Sequence, residues 1–153
     1  MKISVMGIEY NQLLSGKVLA EMGNDVMHIS KDNKRIDNIK RGFYNAEEAM
    51  VIKNSSHDNS VTFTSNIKDA LRDTNMCFIS EGYSENSEEQ MVNLLNAAKD
   101  VGANMSKHMF IIDRATKTSS RVASIKATIQ EELIKRNEKL TFEVISDPDF
   151  LRV

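Results

Sequence analysis

The residues best placed for chemistry lie at the ends of short apolar runs. The first run, Lys2–Met6, leads into Gly7-Ile8-Glu9-Tyr10-Asn11-Gln12, and a helical pattern follows. A glycine at such a junction allows a sharp turn and brings helix N–H groups toward a bound anion, or it serves the turn alone. Glu9 stands at the start of that helix, where a carboxylate is either solvated or takes the anion's own place. After the second run, Ser30 is followed by Lys31, Lys34 and Arg35, a cluster that reads as a phosphate contact or as a solvated helix start. Glu81-Gly82-Tyr83 follows a fourth run, and Thr116 lies just before a helical stretch that its hydroxyl can cap. Cys77, the only cysteine, sits within Met76-Cys77-Phe78-Ile79 and reads as a small core residue. His28, His57 and His108 are dispersed, with no acidic or cysteine partner at ligand spacing, which argues against a metal site.

These positions are set by an alternation of two kinds of segment. Apolar runs at Lys2–Met6, Asp25–Ile29, Val61–Thr64, Met76–Ile79, Met109–Ile112 and Leu140–Ile145 are short and mostly β-branched or aromatic, as buried strands are. Between them come helical spacings. Leu14, Val18 and Met22 recur every four residues, with Gly23 where a C-terminal cap belongs. Met91, Leu94, Leu95, Ala98 and Val101 form a second stripe, preceded by Ser87 and Gln90 at capping-box spacing and closed by Gly102. Val122, Ile125, Ile129 and Leu133 share one face of a third helix, from about Ser119 to Arg136. Ala46–Lys53 is compatible with a short helix, and the polar Asn54–Ser60 with a loop. Strand–helix alternation of this kind predicts an α/β fold: a mostly parallel sheet of about six strands with helices on both faces.

At 153 residues the chain is long enough for one domain, 1–153, and no linker divides it. Hydrophobic residues make up 41% and charged residues 27%, an ordinary globular balance. A net charge of −2 gives no general attraction to nucleic acid or to an anionic membrane. No run approaches the roughly 18 apolar residues of a membrane span, and the N-terminal run is too short for a signal peptide. The expectation is a cytoplasmic protein.

The order of these motifs resembles the N-terminal domain of the nucleotide-sugar dehydrogenase family (UDP-glucose and GDP-mannose dehydrogenases). The opening Lys2–Gly7 strand, the helix ending Leu19-Ala20-Glu21-Met22-Gly23 and Asp25-Val26 carry it most strongly. Phe63-Thr64-Ser65-Asn66-Ile67-Lys68-Asp69-Ala70, Phe78-Ile79 before Gly82, and Ser146-Asp147-Pro148-Asp149-Phe150-Leu151-Arg152 follow in the family's order. The resemblance implies a Rossmann-like, doubly wound fold that binds NAD, with NADP a lesser alternative through Ser30, Lys31, Lys34 and Arg35. It places Gly7, Ile8, Glu9, Tyr10 and Asn11 at the pyrophosphate, Ser30 and Arg35 at the adenosine ribose, and Gly82, Tyr83 and Thr116 along the cofactor. Thr116 and Asp149 are the remnants matching the family's catalytic segments.

The departures are as specific as the matches. The family's loop reads Gly-x-Gly-x-x-Gly; here only Gly7 is kept, with Glu9 and Gln12 in place of the other glycines. Ser30 replaces the acidic residue that would hold the ribose, and Arg35 a lysine. Glu81-Gly82-Tyr83-Ser84 stands for Val-Gly-Thr-Pro, and Ala115–Ser120 keeps only the threonine of Ser-Thr-Val-Pro-Val-Gly. Asp149 replaces a glutamate. The substrate domain that carries the family's nucleophilic cysteine lies beyond the segment matched, so a second domain or a companion chain is expected for any oxidation. Two functions follow. One is the cofactor half of an NAD-dependent UDP-glucose dehydrogenase, inactive alone. The other is a non-enzymatic scaffold that lost the cofactor and binds a protein partner or another small anion. Phe150, Leu151 and Val153 near the chain end suggest burial in a homodimer or against a partner chain.

Overall fold

The computed structural model describes residues 1–53, 60–80, 88–114 and 119–146. Their elements run β1 (Lys2–Met6), α1 (Tyr10–Glu21), β2 (Asp25–Ile29), α2 (Asn33–Lys40), α3 (Ala46–Lys53) and β3 (Val61–Thr64) in the first half. The second half continues with α4 (Ile67–Asp73), β4 (Met76–Ser80), α5 (Glu88–Asn104), β5 (Met109–Asp113), α6 (Ser119–Lys135) and β6 (Phe142–Ser146). The six strands form one sheet in the order β3-β2-β1-β4-β5-β6, and every neighbouring pair is parallel. The first strand is central and the order reverses beside it, so a switch point lies between β1 and β4 at their carboxyl ends.

Alternation along each strand sorts the core into two faces. Ile3, Val5, Val26, Met76, Phe78 and Ile112 point to one side, where Leu19 and Ala20 of α1 pack on them. Cys77, Ile79, Met109 and Ile111 point to the other, against Ala70 and Leu71 of α4, Leu94, Ala98 and Val101 of α5, and Ile125, Ile129 and Leu133 of α6. A smaller apolar group of Ile8, Ile36 and Ile39, with Ile52 and Phe63, seats α2 and α3 beside the β2–β3 edge.

Two sequence expectations are corrected here. Leu14, Val18 and Met22 are not the core face of α1: Leu13, Ser15, Gly16, Leu19 and Ala20 are buried, while Met22 is 55% exposed. The four-residue spacing marked a stripe one position off, because Gly16 and Ser15 carry no hydropathy signal yet occupy the inner face. Gly102 does not end α5, which continues to Asn104. Its bare Cα instead receives α6, since a Cβ there would lie 2.9 Å from Glu132 Cβ and 3.0 Å from the Ile129 carbonyl oxygen. Gly23 follows the end of α1 at φ +96°, the left-handed conformation expected of a glycine after a helix. The Ser87–Gln90 capping box falls on side chains outside the described residues.

Candidate functional site at the carboxyl ends of the strands

Gly7 leaves β1 at φ +123°, a conformation open to glycine and costly to any residue with a Cβ. Its N–H donates to the Ile29 carbonyl at 2.8 Å, so the turn is tied to the neighbouring strand. Glu9 is the N-cap of α1 in an extended conformation, and it forms a capping box with Gln12. Gln12 Oε1 accepts from the Glu9 backbone N–H at 2.8 Å. This brings the Gln12 amide over the turn: a Cβ built on Gly7 would lie 2.2 Å from Gln12 Oε1 and 2.5 Å from Nε2. The helix start therefore carries its own acceptors, one amide and one carboxylate, where a phosphate would otherwise receive the free N–H groups. The glycine turn fits a dinucleotide; the Gln12 side chain does not.

Other site residues are drawn in from behind the loop. Ile8 turns its side chain into the core, 3% exposed, and presents only its backbone. Arg35, expected at a ribose, instead donates through Nη2 to the Ile8 carbonyl at 2.9 Å and to the buried Glu48 at 2.8 Å. It is a brace between the loop, α2 and α3. Tyr10 and Asn11 are exposed on the first turn of α1. Ser30 lies at the end of β2, where its Oγ accepts from the Asp32 N–H at 3.1 Å. Asp32 in turn caps α2 by accepting from the Arg35 N–H at 3.0 Å. Gly7, Ile8, Glu9, Tyr10, Asn11, Ser30 and Arg35 are thus brought to one end of the sheet. Gly82, Tyr83, Thr116 and Asp149, with Glu81 and Phe150–Val153, lie outside the described residues.

Two arrangements were not foreseen. Asp113, fully buried at the end of β5, is gripped by Arg121 at the start of α6, with Nη2 to Oδ1 at 3.1 Å and Nε to Oδ2 beside it. This bidentate pair ties the end of β5 to the start of α6. Arg114, next in line, donates to Ser15 Oγ of α1 at 2.9 Å. The second is His28. Sequence spacing treated it as one of three scattered histidines, yet it shares the inner face of β2 with Val26 and is completely buried. Its Nδ1 lies 3.1 Å from the Gly7 carbonyl oxygen, which only accepts, so Nδ1 carries the proton. Burial lowers its pKa from 6.5 to about 4 against the opposing effect of that hydrogen bond, so the ring is neutral at pH 7. The alternation of β2 was the signal available: a histidine stood where an apolar residue was due.

A parallel sheet with its first strand central, a glycine turn leading from it and a helix N-terminus above define a Rossmann-type dinucleotide-binding domain. Within that class the chain belongs to the UDP-glucose/GDP-mannose dehydrogenase family, whose NAD binding domain matches residues 1–153. It is 28% identical to the UDP-glucose 6-dehydrogenase TuaD of Bacillus subtilis, over 99% of this chain and 33% of that protein. Against a UDP-glucose 6-dehydrogenase of Pseudomonas aeruginosa it is 24% identical, over 99% and 35%. The chain therefore spans about a third of the length of the curated relatives it matches. The fold is shared with a UDP-glucose dehydrogenase from Pyrobaculum islandicum at a TM-score of 0.74 and 17% identity, covering 99% of this chain and 36% of that one. It is also shared with a GDP-mannose dehydrogenase from Pseudomonas aeruginosa, at 0.71 and 18%, covering 95% and 35%. Among the described residues no helix is long and apolar enough to cross a membrane.

Proposed function

We propose that this chain is the cofactor half of a nucleotide-sugar dehydrogenase in which the loop's own side chains have weakened NAD binding. The reaction would be NAD-dependent oxidation of a sugar nucleotide, and NAD supplies the hydride acceptor. This chain's part is to present the turn at Gly7 and the N-terminus of α1. The observation that carries the reading is the Gln12 amide over Gly7, bonded to the Glu9 N–H at 2.8 Å. A pyrophosphate would have to displace that amide and approach the Glu9 carboxylate, losing charge-assisted bonds worth about 1.5–3 kcal/mol each. Substrate contacts would come from a further domain or a companion chain. Phe110 and Ile145, partly buried on the α1 side of β5 and β6, offer apolar surface for such a cover. Phe150, Leu151 and Val153 would join a homodimer or partner contact, and a cytoplasmic location goes with this reading.

Calorimetric titration with NAD, NADP and UDP-glucose tests it. Wild type should bind NAD in the high micromolar range or more weakly, and Gln12→Gly should tighten it by about tenfold. Low-micromolar NAD binding by the wild type would show that the loop yields freely, and would end the reading. A second reading, a non-enzymatic scaffold binding a protein partner or another small anion, is favoured by the internal satisfaction of the same loop. Its signature is a Gln12→Gly variant that gains no NAD affinity at all.

A further inference from the structure

Both carbonyls of the turn after β1 are held from within the protein. The Gly7 carbonyl accepts from His28 Nδ1–H at 3.1 Å, and the Ile8 carbonyl accepts from Arg35 Nη2 at 2.9 Å. Among the described residues no peptide bond is cis. A trans peptide sends its C=O and its N–H to opposite sides. The Ile8 carbonyl, turned inward, therefore turns the Glu9 N–H outward, where it donates to Gln12 Oε1 at 2.8 Å in an exposed bond. What fixes Arg35 lies on α3. Asn45 Oδ1 accepts from the Glu48 N–H at 2.8 Å, and Glu48 Oε1 lies 3.4 Å from the Asn45 N–H, the reciprocal pattern of a capping box. The same carboxylate, on a side chain 6% exposed, takes Arg35 Nη2 on Oε2 at 2.8 Å. The guanidinium is drawn in far enough to bury Nε, which has no hydrogen-bond partner among the described residues. Burying a donor without an acceptor costs free energy, offset here by the two bonds at Nη2.

We propose that Arg35, anchored by Glu48, is a positioning residue for the phosphate end of the cofactor site. Its hold on the Ile8 carbonyl keeps the Glu9 N–H facing the place where Gln12 now sits and a pyrophosphate oxygen would sit. The proposal rests on the cofactor reading and moves Arg35 within it, from the ribose to the phosphate turn. Glu48 neutralises the guanidinium, so Arg35 acts by orienting a peptide and not as a counter-charge to the anion. The link is relayed through three elements: the cap of α3 sets Glu48, Glu48 sets Arg35 on α2, and Arg35 sets the peptide ahead of α1.

The test uses the full 153-residue chain, with inorganic pyrophosphate and NAD as probes followed by amide NMR. Gln12→Gly is the parent, so that the Glu9 N–H is free to take an anion. Arg35→Met alone would leave the buried Glu48 carboxylate without its cation, so it is combined with Glu48→Gln, which removes the charge and keeps an acceptor for the cap. In the parent, pyrophosphate should move the Glu9 amide proton downfield and saturate. In the combined variant both probes should bind about tenfold more weakly, by the same factor. Arg35→Lys, which keeps a donor for the Ile8 carbonyl, should stay within about threefold of the parent. With Gln12 restored and no ligand present, the combined variant should show the Glu9 amide proton upfield of wild type, because its bond to Gln12 loosens. Three results would overturn the proposal. One is NAD weakened with pyrophosphate unchanged, which returns Arg35 to the ribose. Another is a combined variant that binds both probes as the parent does. The third is no pyrophosphate shift at Glu9 in the parent. In that last case NAD binding by the same parent separates the two ideas: if NAD binds, only the role of Arg35 falls, and if it does not, the cofactor reading falls too.

Discussion

His28 and Gln12 both act on the turn at Gly7, one from beneath and one from above. The imidazole holds the Gly7 carbonyl, and its pKa of about 4 against 6.5 makes it a liability in acid. The unfolded chain binds this proton below pH 6.5, whereas the folded chain resists it until about pH 4. Stability from the neutral ring is therefore complete above pH 6.5 and falls as pH drops toward 4, by roughly 3 kcal/mol over the window. Urea unfolding of wild type and His28→Gln at pH 7 and 4.5 should show the wild type losing more on acidification. Parallel losses in the two proteins would contradict the assignment. At the same turn, Glu9→Gly removes a like charge from the phosphate approach, whereas Ser30→Asp restores one distant contact. NAD binding, followed by calorimetry, should tighten more for Glu9→Gly than for Ser30→Asp, and the reverse order would place the deficit at the ribose.

Between elements, the helices are joined by contacts that composition hides. Gly102 allows α5 and α6 to approach closely, with Ile129 and Glu132 filling the space of its missing side chain. Propensity alone says that Gly102→Ala should stabilise a helix by about 1 kcal/mol. The contact says otherwise: a Cβ 3.0 Å from a backbone carbonyl forces the helices apart, at about 1–3 kcal/mol. Thermal unfolding should show a lowered midpoint for Gly102→Ala, and a raised one would mean the helix pair yields without strain. Asp113 and Arg121 bind β5 to α6 in the same hidden way, and Arg121→Ala, which takes a bidentate guanidinium away from a buried carboxylate, should cost about 3–5 kcal/mol in urea unfolding. Strands β1, β2 and β3 were legible residue for residue, because a buried parallel strand is an unbroken apolar run bounded by polar turns. The inner face of α1 was not, since it is built on Gly16 and Ser15, which a hydrophobicity pattern passes over. Likewise Gly7, Glu9 and Ser30 could be placed by their order after strands, whereas the inward turn of Arg35 depends on Glu48, thirteen residues away on another helix.

For the whole molecule, the question is what a domain spanning about a third of its relatives' length can do by itself. The matched relatives are about three times as long, and the chain carries a single thiol with which to attempt covalent chemistry. That thiol, Cys77, is fully buried in the central β4 strand, and burial pushes its pKa up to about 12, with a Ser4 hydrogen bond pulling weakly the other way. The nucleophile is the thiolate, which is essentially absent there at pH 7 to 8. The sheet also separates Cys77 from the loop, because it projects toward α4–α6 whereas His28 and the underside of the Gly7 turn lie on the α1 side. The 153-residue chain given NAD with UDP-glucose or GDP-mannose should therefore produce no absorbance at the NADH wavelength above an enzyme-free control. Cys77 should be inert to a disulfide reagent in buffer and react at once in denaturant, which checks the burial argument separately. Sustained NADH formation that persists in Cys77→Ser would show that this domain oxidises its substrate without a thiol. If the same turnover disappeared in Cys77→Ser, the thiol would have to reach the loop in an open state of the sheet, and the burial argument would be wrong.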